Sequence, residues 1–435
     1  MALGVVAIIG SPNVGKSTIF NRIVGRRRAI VDDQPGVTRD RLYETASWLD
    51  REFRLIDTGG IEITNRPFQE QIRIQAQLAI DEADVIVFVA DAIKGVSSDD
   101  RMVAKMLHKC KKPVILAVNK VDNQNILFNI TEFYSLGLGE PVAVSGEHGI
   151  GIGDILDKII KVLPKEEDVK YDDAITFSII GRPNVGKSSM VNALLNKERV
   201  IVSDIVGTTR DSVDTMFERD GQRYVVIDTA GLQKRGKIYE AVDKYSALRA
   251  LSAIDRSEIV LFIIDANTGI LEQDKHVVGY AVEKKKAIVI VVNKWDLIKK
   301  EQNTQAEFEK KIRNEFVFLD YAPIIFTSAL TKSKIDKIFD KIAEVHDAYD
   351  THIPTSVLND VIQDAQIMNE APDFNGGRLK IYFVNQANSQ PPTFVLFVNK
   401  PKFAHFSYLR YIENRLRDAF NLDGTPIELV LRERV

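Results

Sequence analysis

Two stretches of this chain are built to hold phosphate: GSPNVGKS at residues 10–17 and GRPNVGKS at residues 181–188 both fit the pattern G-x-x-x-x-G-K-[ST]. In such a loop the backbone N–H groups point inward at an anion, and the dipole of the helix that follows adds to the attraction. Gly10 and Gly15, with Gly181 and Gly186 in the second stretch, let the backbone approach closely. Lys16 and Lys187 are placed to bridge the β- and γ-phosphates, and the hydroxyls of Ser17 and Ser188 each take a position on Mg²⁺. Thr18 and Ser189 are the next nucleotide-binding positions on the chain, and Asn13 and Asn184 stand inside the two loops.

The rest of the chemistry follows in the same order twice. In DTGG and DTAG, Asp57 and Asp228 supply a carboxylate for a Mg²⁺-bound water, and the N–H groups of Gly60 and Gly231 sense the γ-phosphate. Thr38 in GVTRD and Thr209 in GTTRD complete the Mg²⁺ shell, ordering their loops only while the γ-phosphate is present. The catalytic set is therefore Lys16, Thr38, Asp57 and Gly60, with Lys187, Thr209, Asp228 and Gly231 as its second version.

NKVD (119–122) and NKWD (293–296) choose the base. The carboxylate of Asp122 or Asp296 accepts both N1–H and the exocyclic amine of guanine, whereas adenine offers neither donor. The wrong base leaves a buried charge unpaired, a penalty on the order of 10⁴-fold in discrimination. Asn119 and Asn293 bond the base and tie it to the cradle, while the stems of Lys120 and Lys294 cover its ring. TSAL, with Ser328 and Ala329, offers backbone N–H groups to guanine O6. Its counterpart VSGEHG, with Ser145 and Gly146, is a looser match. These residues call for GTP or GDP with Mg²⁺, and the duplicated guanine motif disfavours a metabolic kinase. After each D-x-x-G motif, where a glutamine could orient the attacking water, stand Ile61 and Leu232. An aliphatic side chain cannot do that, so hydrolysis is slow or its missing stabilisation comes from elsewhere.

Lys16 to Lys187, Thr38 to Thr209 and Asp57 to Asp228 are each 171 positions apart, and the base motifs 174. A repeat of this kind sets the architecture. Around the motifs lie nearly continuous Val/Ile runs, VIVFVAD and PVILAVNK in one copy, IVLFIIDA and AIVIVVNK in the other. Such runs are strands covered on both faces, so each copy is a doubly wound α/β domain with a mostly parallel sheet and its motifs at the carboxyl ends of strands. The expected boundaries are 1–164 for the first, a charged linker at 165–174, 175–350 for the second, and 351–435 for a small α+β tail. That tail reads helix, strand, strand, helix, strand, with NSQPP as the hairpin turn.

The 435 residues suit two or three domains, and 45% hydrophobic against 27% charged residues is the balance of a folded globular chain. A single cysteine, Cys110, and six histidines without metal-ligand spacing exclude a disulfide framework and point to a reducing compartment. The apolar start MALGVVAIIG runs straight into the first cradle and reads as a strand. With no membrane-length apolar run, the expectation is a cytoplasmic protein that touches no membrane.

Tandem domains with GxPNVGKS cradles, DTxG followed by an aliphatic residue and a small α+β tail resemble the bacterial Der family, also called EngA, over essentially the whole chain. Single-domain relatives such as Era share the motifs without the doubling. The resemblance implies a GTPase switch in maturation of the large ribosomal subunit, acting as a monomer with ribosomal RNA and no DNA. It implies a KH-like tail, and potassium held at Asn13 and Asn184 as a replacement for an arginine finger, an effect of about 10³ to 10⁵ in rate. The other reading is an RNA-binding assembly scaffold with one structural, non-hydrolysing nucleotide site.

The tail departs from a usual KH fold, which grips nucleotides with a GxxG loop between two helices; no GxxG occurs here. RNA contact would rest on Arg378, Lys380, Lys400, Lys402, Arg410, Arg415 and Arg417, opposed only by Glu413 over the same stretch. The aromatics among them, Tyr382, Phe383, Phe394, Phe397, Phe406 and Tyr411, read as sheet and helix core sooner than as base-stacking surfaces. A second basic run, QKRGK at 233–237, follows DTAG.

Overall fold

The computed structural model describes residues 4–25, 43–58, 83–164, 173–196, 200–202, 214–228, 243–299 and 303–434, with single positions between them (73, 76, 77, 79–81, 171 and 301). The chain divides into two compact units, Met1–Val169 and Lys170–Val435.

The first unit is one six-stranded sheet, in which β1 (Gly4–Gly10) lies between β3 (Arg51–Asp57) and β4 (Val85–Asp91). Beyond β3 is β2 (Tyr43–Trp48), and beyond β4 are β5 (Val114–Asn119) and β6 (Val142–Ala143). All pairs are parallel except β2 with β3. Every residue of VIVFVAD in β4 is buried, as a strand covered on both faces must be. One face is covered by α1 (Lys16–Val24) and the amphipathic α4 (Ile152–Val162), whose Ile152, Ile155, Leu156 and Ile159 join a core with Val6, Ile8, Phe53 and Val87. Burying each such side chain contributes about 2 kcal/mol. Between them in the chain come α2 (Ser98–Leu107) and the short α3 (Gln124–Leu127). α2 starts with a capping box in which Ser97 and Asp100 satisfy each other's backbone N–H.

Residues 165–170 and 172 of the expected linker lie outside the described residues, and Ala174, expected as its last residue, already belongs to β7 (Ala174–Ile180). With β7 the second unit repeats the plan of the first, followed by α5 (Lys187–Leu195). Its seven-stranded sheet continues with β8 (Val200–Val202), β9 (Thr215–Arg219), β10 (Gln222–Val226), β11 (Ile259–Asp265), β12 (Ala287–Asn293) and β13 (Ile324–Phe326). β7 lies between β10 and β11, and the strands from β10 to β13 across the sheet run parallel. Helices α6 (Asp243–Arg256), α7 (Glu272–Glu283), α8 (Thr304–Glu315) and α9 (Asp336–Tyr349) complete it. Two cores, one on each face, enclose the Val/Ile runs.

The tail has the expected order: α10 (Thr355–Met368), a two-residue-strand hairpin of β14 (Asp373–Phe374) and β15 (Gly377–Arg378), then β16 (Ile381–Ser389), β17 (Pro392–Val398), α11 (Phe406–Phe420) and β18 (Glu428–Glu433). β18 lies parallel beside β17, and the helices close one face over Leu358, Ile362, Phe394, Leu396 and Ile412. The whole is a KH-like domain, and with the two P-loop sheets it gives three α/β or α+β modules in series. The tail seats on the second repeat: Gly424 accepts from Ile288 N–H at 2.8 Å and donates to Tyr321 O at 2.9 Å. Arg417 covers the Tyr321 ring at 4.5 Å, and Arg410 pairs with Asp320 at 2.9 Å.

Two expectations for the tail change. Arg410 and Arg417 serve that seating, Arg417 also pairing with Glu413, and Arg378 is paired with Glu370 and Asp373, so the basic stretch is not one free face. Of the six aromatics only Phe394 is fully buried; Tyr382 and Phe383 stand exposed on β16, because the helices cover only one face of the three-stranded sheet, and Phe406 stands exposed as the first residue of α11.

Candidate functional site

In each sheet the cradle follows the central strand, where neighbouring chain segments leave in opposite directions and open a crevice at the strand ends. The glycines are required by what surrounds them. A Cβ on Gly10 (φ 153°) would lie 2.2 Å from Val89 O, and one on Gly15 (φ 94°) 2.2 Å from Asn119 Nδ2. Gly181 and Gly186 meet the same obstacles, Ile263 O at 2.5 Å and Asn293 Nδ2 at 2.3 Å. Asn13 and Asn184 take left-handed backbone angles, φ 62° and 65°, which asparagine tolerates better than most residues, and both side chains are exposed.

Lys16 Nζ donates to Gly10 O and Ser11 O, both at 2.9 Å, and Lys187 Nζ to Gly181 O and Arg182 O at 2.6 and 2.7 Å. Each ammonium thus sits across the mouth of its own loop. Burial lowers the pKa of Lys16, with the nearby Asp57 carboxylate opposing the shift. Asp57 is itself buried and accepts from Ser17 Oγ at 2.6 Å, which brings together the two oxygens assigned to Mg²⁺ in the first copy. Thr58 Oγ1 donates to Ile8 O at 2.7 Å, locking the aspartate's neighbour to the central strand. Asp228 is held otherwise: it has a left-handed φ of 57° and its N–H donates to Asp214 Oδ1 at 3.0 Å. Ser188 is half-buried at the start of α5, while Thr18 and Ser189 are exposed on the first turns of their helices. Thr38, Gly60, Ile61, Thr209, Gly231, Leu232 and the basic run 233–237 lie outside the described residues.

The base motifs are pinned twice over. Asn119 donates through Nδ2 to Val14 O at 2.7 Å and accepts at Oδ1 from Gly146 N–H at 2.9 Å; Asn293 does the same with Val185 O at 2.9 Å and Ala329 N–H at 3.0 Å. One asparagine therefore spaces the cradle from the loop aimed at guanine O6. The loops themselves are equivalent, contrary to the expectation of a looser first copy. Ser145 bridges Ile150 and Ser328 bridges Ser333, while their hydroxyls accept from His148 N–H at 3.1 Å and Thr331 N–H at 3.2 Å. Glycine for alanine hides a likeness carried by the backbone. Asp122 also accepts from Ser145 Oγ at 2.6 Å, and both Asp122 and Asp296 are exposed at the site's rim.

Two aspartates escaped the sequence reading. Asp91 and Asp265 end their strands directly opposite Asn119 and Asn293, and they hold Lys120 Nζ at 2.6 Å and Lys294 Nζ at 2.7 Å. They fix the ammonium so that the lysine stem can lie flat. Burial raises the Asp265 pKa, but the Lys294 bond and the N–H groups of Asn267 and Thr268 outweigh it and hold the carboxyl below its usual range. The signal was present in the sequence: VAD and IID close their Val/Ile runs at the same 174-residue offset as the base motifs.

A phosphate cradle after the central strand and an N-K-x-D motif after a neighbouring strand, present twice, define a tandem P-loop GTPase. The family described as "50S ribosome-binding GTPase" matches residues 5–120 and again 176–294, and the "KH-domain-like of EngA bacterial GTPase enzymes, C-terminal" family matches 352–432. The GTPase Der of Geobacillus thermodenitrificans is 57% identical and that of Listeria welshimeri 56%, each over 435 residues and the full length of both chains. A crystal structure of Aquifex aeolicus Era is 24% identical, covering 60% of this chain and 91% of its own at a TM-score of 0.31. The chain belongs to the Der (EngA) family of GTPases.

Proposed function

We propose that each copy binds GTP with Mg²⁺ and hydrolyses it with help from potassium, and that the nucleotide state sets the chain's grip on the large ribosomal subunit during its maturation. The observation that carries the reading is the duplicated cradle, in which any Cβ on Gly10, Gly15, Gly181 or Gly186 would collide with the loop's own neighbours and each lysine spans the mouth of its loop.

In this reading the lysine ammonium exchanges its two carbonyl partners for β- and γ-phosphate oxygens. The cost of that exchange is small, because one set of charge-assisted hydrogen bonds replaces another of similar geometry. Ser17 and Asp57, whose oxygens lie 2.6 Å apart, would hold Mg²⁺ together with Thr38, and Ser188, Asp228 and Thr209 would be the second set; the ion would supply positive charge at the phosphates. Gly60 and Gly231 report on the γ-phosphate. Asp122 and Asp296 read guanine while Asn119, Asn293 and the loops at Ser145–Gly146 and Ser328–Ala329 fix its edge. Lys120 and Lys294 cover its face. Asn13 and Asn184, exposed at left-handed positions of the loop, offer their oxygens to potassium. When bound, potassium supplies positive charge beside the phosphates, as an arginine finger does.

The family's description as ribosome-binding supports the partner, and no described helix is long and apolar enough to cross a membrane. Co-sedimentation with purified large ribosomal subunits in potassium buffer tests the reading. Binding that is strong with a non-hydrolysable GTP analogue, weak with GDP, and lost in both Lys16→Ala and Lys187→Ala is the expected result. Binding indifferent to nucleotide, with only one lysine mattering, would favour the RNA-binding scaffold with a structural nucleotide.

A further inference from the structure

One end of the tail's sheet carries aromatic rings together with cations that have no carboxylate partner among the described residues. Register places Ile381 opposite Val398, and Val398 beside Glu433, so the start of β16 and the ends of β17 and β18 lie together. There the Tyr382 ring, 41% exposed, has Lys380 Nζ at 5.3 Å and the Arg434 guanidinium at 5.2 Å. Next to it the hairpin folds onto residues 400–406, with Gly377 against the Phe403 ring and Asn375 Nδ2 donating to Lys402 O at 2.9 Å. That contact lines up three further rings: Phe374 lies 4.9 Å from His405, which lies 4.5 Å from Phe406. Phe406 is 76% exposed, and the ammonium groups of Lys400 and Lys402 stand over Phe403 at 5.9 and 5.4 Å.

We propose that this end of the sheet binds single-stranded RNA, by stacking bases on Tyr382 and on the Phe374–His405–Phe406 row and by drawing the phosphates to Lys380, Lys400, Lys402 and Arg434. The inference rests on the ribosome-directed reading above and gives the tail a grip that its missing GxxG loop cannot provide. Charge complementarity selects the occupant. None of those four cations has a carboxylate partner among the described residues, although Arg378, one strand away, has two. An apolar protein partner would leave four charges to be desolvated without compensation, whereas a polyanion uses them. Isolated exposed rings flanked by cations are the pattern of single-strand platforms, where every base offers a π-face and a duplex hides it.

Fluorescence anisotropy of the full chain with a labelled uridine dodecamer, across a potassium chloride series and against an RNA duplex of equal length, tests this. The wild type should prefer the single strand. Phe406→Ala and Tyr382→Ala should each weaken binding by about tenfold and leave its salt dependence unchanged. Lys400→Ala with Lys402→Ala should lower the salt slope by about 1.4. Phe406 is too exposed to matter for folding; if Tyr382→Ala lowers the melting temperature, Phe406→Ala decides. Equal affinity for duplex, no affinity for the dodecamer, or aromatic variants that bind like wild type each overturn the proposal. Co-sedimentation of the same variants separates the two readings. Aromatic variants that keep both full RNA affinity and nucleotide-dependent subunit binding sink this surface alone. Wild type that fails to co-sediment sinks the ribosomal partner, leaving the oligonucleotide result to judge the surface. Variants that lose the subunit when the wild type has no affinity for the dodecamer identify a protein contact, and the proposal falls.

Discussion

The two copies share the bonds that tie cradle, base loop and strand end together, and they differ in how the loops are anchored from behind. In both, asparagine ties cradle to base loop, the lysine spans the cradle mouth and a strand-end aspartate holds the second lysine. Behind the cradle they diverge. Ser11 donates to Asp100 at 3.0 Å in the first copy. In the second, Arg182 pairs with the fully buried Asp274 at 2.8 Å and donates to Thr268 and Gly269 at 3.1 and 2.8 Å. Behind Asp57 and Asp228 they diverge again: Asp214 takes the Asp228 N–H, the Tyr171 hydroxyl at 2.6 Å and the Arg256 guanidinium, while the matching position of the first copy, 171 residues earlier, is Tyr43. Among the described residues the bonds of cradle and base loop are thus common to both copies, and the anchors behind them differ.

The largest effect should test the common part. Asp122→Ala and Asp296→Ala should each abolish guanine preference at one site, on the order of 10⁴-fold in discrimination against ATP, and equilibrium dialysis with GTP should show half the wild-type stoichiometry in either variant. If one of them leaves both stoichiometry and preference intact, the two copies are not equivalent in recognition.

Next come the anchors peculiar to the second copy. Asp214→Ala takes one carboxylate away from Arg256, the Tyr171 hydroxyl and the Asp228 N–H at once, and a cost of about 4 kcal/mol is expected for breaking a buried pair. It should appear in urea unfolding of the second unit while the transition of the first is unmoved. Arg182→Met should cost about 3 kcal/mol by leaving the Asp274 carboxylate buried and unpaired. Arg182→Ser should cost less, because serine can donate to Asp274 as Ser11 does to Asp100. Burial already raises the Asp274 pKa, and Arg182 and Lys187 oppose it. Without the guanidinium the pKa rises further. The folded protein then holds a proton that the unfolded chain releases, so the methionine variant should lose stability as pH increases from about 4 through the raised value. A pH-independent loss would mean that the arginine acts through packing.

Gly424→Ala addresses the other asymmetry, the tail seated on the second repeat. Gly424 has φ 73° and an added Cβ would lie 2.4 Å from Val345 Cγ2. A loss of about 2 kcal/mol, from left-handed strain and overpacking together, should be visible as a lower melting temperature. No change would show that the seating loop gives way without penalty.

Much of this was legible in the sequence because it is local. The cradles, the Val/Ile strands and the tail's element order depend on residue types at short spacing, and all fall where pattern and period place them. What depends on meeting through space did not show. Nothing in the local pattern marks Asp100 and Asp274, at the starts of their helices, as partners of the cradle residues Ser11 and Arg182. Asp91 and Asp265 were the ends of strands until β4 and β5, or β11 and β12, were set in register with the base asparagines. The exposed Tyr382 and Phe406 read as core because a strand pattern does not say which face of a three-stranded sheet stays open, nor a helix pattern that its first residue projects past the packed turns. The hairpin at 373–378 was invisible too, since strands of two residues have no period.

The smallest predicted effect is the most exact test of site equivalence. The base loops differ by one methyl group, Gly146 in the first copy and Ala329 in the second, and Gly146 shows no backbone angle that needs glycine. Its added Cβ would sit 3.1 Å from Ile19 Cγ1 and 3.4 Å from Thr18 Cγ2, tight contacts that a shift of a few tenths of an ångström relieves. Neither neighbour is backbone, so both can move. Against that crowding, alanine narrows the unfolded chain's freedom, a gain of about 0.4–1 kcal/mol. The two terms should nearly cancel, leaving GTP affinity at the first site within about threefold and unfolding within about 0.5 kcal/mol of wild type. A loss of tenfold or more in affinity, read by titration in an Asp296→Ala background, would show that the N–H of residue 146 cannot hold its place against Asn119 once the methyl group is present. The first site would then be built for the smaller residue, and the equivalence of the two loops would stop at their hydrogen bonds.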